Sequence, residues 1–140
     1  MNRYITIQVG ARRNYAVPAI LEQAGMLEAL YTDLCADSGF GQWLKSYFPW
    51  FIRFDALRRL SDRQVPDNIG GMVKTFDRAS LFYLFRVYLA NRGLLTKNQA
   101  VEAFSQEFGK EIITYGVGNA THIYSMFGEG IEFLESLKKH

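Results

Sequence analysis

The chain has 140 residues, enough for one domain with a sizeable core. Hydrophobic residues make up 49% and charged residues 21%, which excludes a disordered chain. The formal charge of +2 is spread evenly, 8 basic and 7 acidic residues in each half, so no basic tail or stripe marks the chain for nucleic acid.

Cys35 is the sole cysteine. It excludes an intrachain disulfide, suits a reducing compartment, and reads as a small buried apolar residue rather than a nucleophile. Arg3, Gln8, Arg12 and Arg13 interrupt any apolar run at the amino terminus, so no secretory signal is read there. No stretch approaches the ~20 apolar residues of a membrane span. A cytoplasmic, soluble chain is expected.

In chain order, Tyr4 to Val9 predicts a first strand. Gly10 to Asn14 forms a turn bearing Arg12 and Arg13, with Asn14 as the expected N-cap of a helix through Val17, Ile20, Leu21 and Ala24. Pro18 is tolerated near that helix start, and Gly25 is placed to end the helix as its C′ residue. Leu27 to Thr32 predicts a second strand closed by Asp33, completing a βαβ unit.

Residues 38–64 break this rhythm and read as a helical, aromatic-rich insertion. Gly39 and Gly41 predict a turn, and Pro49 should divide the aromatic stretch from Trp43 to Phe54 into two short helices. Ser61 to Gly71 has the composition of a loop. Met72 to Phe76 predicts a short third strand, and Asp77 should cap a helix running to Asn91. Leu81 to Phe85 leaves that helix apolar around most of its circumference, which predicts heavy burial.

Thr96-Lys97-Asn98-Gln99 has the form of a capping box. Val101, Phe104, Phe108, Ile112 and Tyr115 predict one buried stripe on the helix that follows, ending at Gly116. Ala120 to Phe127 predicts a fourth strand, and Gly128-Glu129-Gly130 turns into a last helix with Ile131, Leu134 and Leu137 facing inward. Strands separated by helices predict an α/β fold, a Rossmann-like and mostly parallel sheet of about four strands flanked by helices.

In such a sheet, ligands bind in the crevice outside the carboxyl ends of the strands. The predicted edge residues are Gly10, Arg12, Arg13, Asn14, Thr32, Asp33, Asp77, Gly128 and Glu129. Two readings of the first turn stand side by side. Either Gly10 lets the backbone approach a ligand while Arg12 and Arg13 clamp a phosphate or carboxylate, or Gly10 only permits a tight turn and the arginines are solvated. Asp33 either binds a sugar hydroxyl or caps a neighbouring turn. Glu129 fits the favourable dipole at a helix start. His122 has no second histidine near it in sequence to suggest a metal site, and no dinucleotide fingerprint, P-loop or nucleophile elbow is present.

Trp43, Tyr47, Phe48, Trp50, Phe51 and Phe54, mixed with Lys45, Arg53, Arg58 and Arg59, read either as ordinary packing or as an interfacial segment on an anionic membrane.

Gly10-Ala11-Arg12, Tyr15-Ala16, Pro18, Gly25, Leu27 and Tyr31-Thr32-Asp33 together resemble the opening of family 4 glycosyltransferases of the GT-B fold. Val73 to Phe76, and Ala120 to Phe127 with Gly128-Glu129-Gly130, are similar to later parts of the same amino-terminal domain. The match covers about the first 35 residues well, the last 25 loosely and the insertion hardly at all. One departure is Asn14, where many relatives carry histidine before the tyrosine, so no acid–base or phosphate role is carried over to it.

The resemblance implies transfer of a sugar from a nucleotide-sugar co-substrate to a sugar or lipid-linked acceptor, with no other cofactor and no metal. It implies that this domain shapes the acceptor side and that Gly10, Arg12, Arg13 and Asn14 line the cleft. Peripheral contact with the inner face of a membrane through Trp43, Trp50 and Phe51, read from the aromatic insertion itself, is compatible with a lipid-linked acceptor. The carboxy-terminal domain that grips the donor in that family has no counterpart in these residues, so a fragment inactive by itself is expected. A self-contained, non-enzymatic α/β binding or interaction module is the alternative.

Overall fold

A computed structural model describes residues 2–37, 39–47, 63–126, 131, 134 and 135, with the backbone alone at 12, 13, 44 and 45. Strand β1 (Tyr4–Gln8) lies inside the sheet and runs parallel to β2 (Leu27–Thr32) on one side and β4 (His122–Ser125) on the other. Strand β3 (Val73–Thr75) pairs with the outer side of β2, also parallel. The order β3–β2–β1–β4 makes a small parallel sheet, and helices cover it, as in Rossmann-like α/β folds.

The strands form where β-branched and aromatic residues fit a surface buried on both faces. Ile5, Ile7, Ala29 and Tyr31 point to one face, under helices α3 (Asp77–Asn91) and α4 (Lys97–Tyr115), and meet Phe76, Ala79, Phe104, Phe108 and Ile112. Leu27, Leu30 and Val73 pack on the other side with Tyr15, Cys35, Val65 and Ile69. Helix α1 (Ala16–Gln23) borders that second cluster through Leu21.

Three local signals act as their chemistry requires. After α1, Gly25 takes φ 65°, its amide donates to the Glu22 carbonyl, and the Met26 amide donates to the Leu21 carbonyl. That pair of bonds is a Schellman ending. At α4 the Thr96 hydroxyl accepts from the Gln99 amide and the Gln99 side chain accepts from the Thr96 amide, a complete capping box. Gly116 ends α4 at φ 88°.

Elsewhere tertiary contacts override the local signal. Gly39 and Gly41 do not make a separate turn; they open helix α2 (Gly39–Tyr47). A side chain at Gly41 would collide with the Cys35 carbonyl, and one at Gly39 with Thr75 and Asp77, so both glycines serve close approach. Asp77 is the first residue of α3 rather than its cap, and its carboxylate accepts the Phe40 amide (2.7 Å), capping α2 instead. The predicted loop before β3 winds into a 3-10 turn over Asp67–Met72.

The two predicted apolar faces are also narrower than expected. In α4 the buried row is Ala100, Phe104, Phe108 and Ile112, at steps of four, while Val101 and Tyr115 are exposed. In α3 only Ala79 and Ser80 are buried; Leu81, Phe82, Leu84, Phe85 and Tyr88 are exposed, because α4 and the sheet cover a single side of the helix. Ile20 of α1 likewise faces outward, as does Ile131 of the expected last helix. The break at Pro49, the helix expected after it, and Leu137 lie outside the described residues.

The excursion between β2 and β3 leaves and returns through a closed neck. The Ala36 amide donates to the Arg63 carbonyl (3.2 Å), and the Val65 amide to the Asp37 carboxylate (3.0 Å). Gly41→Ala is expected to destabilise the fold by roughly 1–3 kcal/mol through overpacking. Gly71→Ala, where an added methyl meets nothing within 4 Å, is expected to stay within about 0.5 kcal/mol. Urea denaturation of the two variants measures the contrast.

Candidate functional site

The connection from β1 through α1 to β2 moves to one side of β1, whereas the chain returning from β3 lays β4 on the other. This reversal places the switch point, and so the expected ligand crevice, at the carboxyl ends of β1 and β4. Register aligns Gln8, Thr32 and Thr75 along that edge, with Ser125 beside Ile7. The edge is therefore polar where the strand interiors are apolar.

The loop leaving β1 is tightly shaped. Gly10 has φ 74°, and the 3-10 turn Arg12–Tyr15 closes with the Asn14 amide donating to the Ala11 carbonyl (3.1 Å). Asn14 and Tyr15 then both take left-handed backbone, φ 50° and 56°, which costs non-glycine residues roughly 1–3 kcal/mol each. Tyr15 carries this strain because its side chain is wholly buried against Leu30, Cys35 and their neighbours. Asn14 is exposed and is not the N-cap; Tyr15 holds that position without a side-chain cap bond.

Asp33, at the end of β2, joins this loop to the neck. One carboxylate oxygen accepts the Gly10 amide (2.8 Å) and the Thr32 hydroxyl (3.3 Å), and the other pairs with the Arg63 guanidinium (2.6 Å). Arg63 donates as well to the Leu34 carbonyl (3.3 Å), and the Gln8 amide group to the Gly10 carbonyl (3.1 Å). Of the predicted edge residues, Gly10, Thr32 and Asp33 thus meet in one network. Asp77 lies on the α2 side of the same edge. The side chains of Arg12 and Arg13, and all of Gly128 and Glu129, lie outside the described residues.

The sequence did not single out Arg63, Gln8 or Tyr15. Arg63 is one of four arginines between positions 53 and 63, and local spacing does not distinguish it. Burial pushes the Tyr15 phenol well above its ordinary pKa, with Cys35 and Asp33 adding to the shift. Its hydroxyl makes no hydrogen bond of full geometry, and the Thr32 hydroxyl beside it only partly offsets the rise. His122 stands at the opposite, amino edge, paired with Tyr4 and stacked on its ring (4.8 Å).

A second hollow, about 510 Å³, opens between the base of α3 and the end of α4, beside Phe76, Arg78, Glu107, Lys110, Glu111 and Tyr115. Burial raises the Glu111 carboxyl, Arg78 opposes the rise, and one Glu111 oxygen is buried without a partner. Among the described residues no three His, Cys, Asp or Glu side chains gather to hold a metal ion. Both Asp33 oxygens are engaged inside the chain. Comparison with protein-family models, with curated proteins and with solved structures finds no match.

Two outcomes follow from this geometry. A double-mutant cycle on Asp33→Ala and Arg63→Ala is expected to give a coupling of roughly 0.5–3 kcal/mol, in the lower half of that range because Arg63 is about one-third exposed. The second concerns alkali. Burial raises Tyr31 to about 12 and Tyr15 further, so both phenols stay neutral in the fold while unfolding frees them to ionise above about 10. Their contribution is complete below pH ~10 and is lost as pH rises toward ~12. Tyr15→Phe is expected to keep its stability at pH 7 to within about 1 kcal/mol, since the hydroxyl makes no hydrogen bond of full geometry, and to flatten the alkaline loss. Denaturation midpoints across that pH range decide it.

Proposed function

We propose that this chain is the acceptor-side, Rossmann-like domain of a GT-B-type glycosyltransferase, binding its sugar in the crevice at the carboxyl ends of β1 and β4. One observation carries the reading. The stretch Gly10 to Tyr15, whose residues resemble the opening of family 4 glycosyltransferases, is the strained loop at the sheet's switch point. Left-handed backbone at two successive non-glycine residues carries a cost, met at Tyr15 by burial of its side chain, and such cost collects at ligand-binding loops.

In this reading Gly10, Arg12, Arg13 and Asn14 face the acceptor or the donor phosphate, and Asp33 with Arg63 fixes the loop. A nucleotide-sugar would be the co-substrate, gripped mainly by a second Rossmann-like domain. The acceptor would be a saccharide or a lipid-linked saccharide, met at the cytoplasmic face of a membrane with Trp43 as one contact. Trp50 and Phe51, expected to share that role, lie outside the described residues.

A second reading, a non-enzymatic α/β interaction module, is favoured by one specific observation. Asp33 and the Gly10 amide satisfy each other inside the chain, which leaves fewer groups to greet a ligand.

Titration of the isotope-labelled chain with mono- and disaccharides, followed by amide NMR, separates the two. The first reading expects shifts confined to Gly10, Ala11 and Asn14, with weak affinity of order 1 mM, about 4 kcal/mol. Gly10→Ala, strained at φ 74°, is expected to abolish them. A folded chain whose loop amides ignore every saccharide and nucleotide-sugar would sink the glycosyltransferase reading.

A further inference from the structure

The exposed apolar side of α3 is patterned. Arg78, Phe82, Phe85 and Arg92 recur at helical spacing, with Leu81 and Tyr88 beside them, so an aromatic stripe is bracketed by arginine at both ends over about 21 Å. Phe82, Phe85 and Tyr88 are each about half exposed. An apolar hollow of about 580 Å³ lies between this stripe and Phe40 of α2. Beyond it the aromatic surface continues along α2, where Phe40 stacks on Trp43 (5.3 Å) and Trp43 leans on Tyr47 (5.8 Å).

Charge selects the partner. From Asp77 to its cap Arg92, α3 carries three arginines against one aspartate, and that aspartate is engaged by the Phe40 amide. Helix α4, on the other side of the hairpin, carries two lysines against three glutamates. The guanidinium carbons of Arg78 and Arg86 lie 5.8 and 6.0 Å from the centre of the Phe82 ring, and that of Arg92 lies 5.1 Å from the Tyr88 ring. Arg78 and Arg92 are exposed, so their charges stand at the margin of the aromatic surface as on a helix resting in a headgroup layer, whereas one Arg86 guanidinium nitrogen is buried. No helix among the described residues is long and apolar enough to cross a membrane.

We propose that the α3 stripe, with the aromatic face of α2, is a docking surface for an anionic lipid bilayer. The aromatic rings enter the headgroup boundary and the exposed Arg78 and Arg92 pair with lipid phosphates. The inference rests on the membrane-contact part of the functional reading, adds α3 as the element that makes the contact, and does not require sugar transfer.

Flotation of the whole 140-residue chain tests it, with vesicles of phosphatidylcholine alone or mixed with an equal part of phosphatidylglycerol. Binding is expected to the mixed vesicles alone. It should weaken by about tenfold or more as salt rises from about 0.1 M to about 1 M and the screening length falls from about 10 Å to about 3 Å. Arg78→Gln with Arg92→Gln is expected to lower binding on the order of 25-fold, each basic residue at such a surface being worth about fivefold. Phe82→Ser with Phe85→Ser should abolish binding while circular dichroism and the melting midpoint hold, since both side chains are exposed.

Equal binding to both vesicle types overturns the anionic assignment. Binding that survives both double variants overturns the role of α3 while leaving a membrane contact through Trp43 standing. No binding to either vesicle overturns membrane contact altogether. In that case, self-association or capture of a protein partner that is lost with Phe82→Ser and Phe85→Ser assigns the face to a protein. The saccharide titration is read independently, so failure of the lipid surface and failure of the sugar site remain distinct.

Discussion

The Asp33 carboxylate is the point on which this arrangement depends. Beside accepting from the neighbouring Thr32 hydroxyl at the end of β2, it reaches two stretches of chain that are distant in sequence: the loop leaving β1 through the Gly10 amide and the neck of the insertion through Arg63. A carboxylate buried at a strand end needs partners for its charge, and charge-assisted bonds to an amide and a guanidinium supply them. The same bonds fix the shape of the crevice loop. The Gly10 conformation, the 3-10 turn after it and the left-handed pair Asn14 and Tyr15 all follow from where Asp33 holds the backbone and where Tyr15 is buried. The loop is thus strained from below by packing and held from the side by one acidic residue.

What could be read from the sequence divides along the range of the interactions involved. The bounds of β2, the glycine ending of α1 and the capping box of α4 were legible because each is decided within about six residues. Gly39 and Gly41 were misread for the complementary reason. Glycine signals a turn locally, but these two are required by the Cys35 carbonyl and by Asp77, which arrives from nearly forty residues away. Asp77 was legible as a helix-capping residue but not as the cap of another helix. Periodicity identified α3 as a helix, yet its heavy burial did not follow, because burial depends on how many neighbours the fold supplies. At the site, Gly10 and Asp33 were legible as strand-end residues. Their bond to each other and the part played by Arg63 were not, since nothing local distinguishes one arginine among four.

The sheet edge and the start of the exposed helical face belong to one end of the molecule. Helix α2 begins soon after β2 leaves the edge, α3 begins directly after β3, and the Phe40–Asp77 bond ties the two helix starts together. The Phe76 amide donates to the Thr32 carbonyl, and the Leu34 amide to the Ser80 hydroxyl, so the base of α3 is anchored to the same strand end that carries Asp33. A surface that engages the starts of α2 and α3 would therefore border the crevice end, and the α3 stripe runs on from there towards Arg92.

That placement bears on the order of binding. On the proposed reading, an acceptor carried on a lipid would reach the crevice by moving along the headgroup layer, its sugar arriving beside Gly10 while its tail stayed in the bilayer. Docking of the helices would then supply part of the orientation that a bimolecular encounter otherwise loses, and the loop would need only weak affinity for the sugar itself. The polar row of Gln8, Thr32 and Thr75 lines the edge without a charge that would repel phosphate, with Gln8 and Thr32 buried and bonded to the loop itself. Asp33, the one carboxylate in the loop's own network, is neutralised by Arg63. The ion pair that shapes the loop therefore also removes the negative charge that an anionic surface or a phosphorylated acceptor would otherwise meet there.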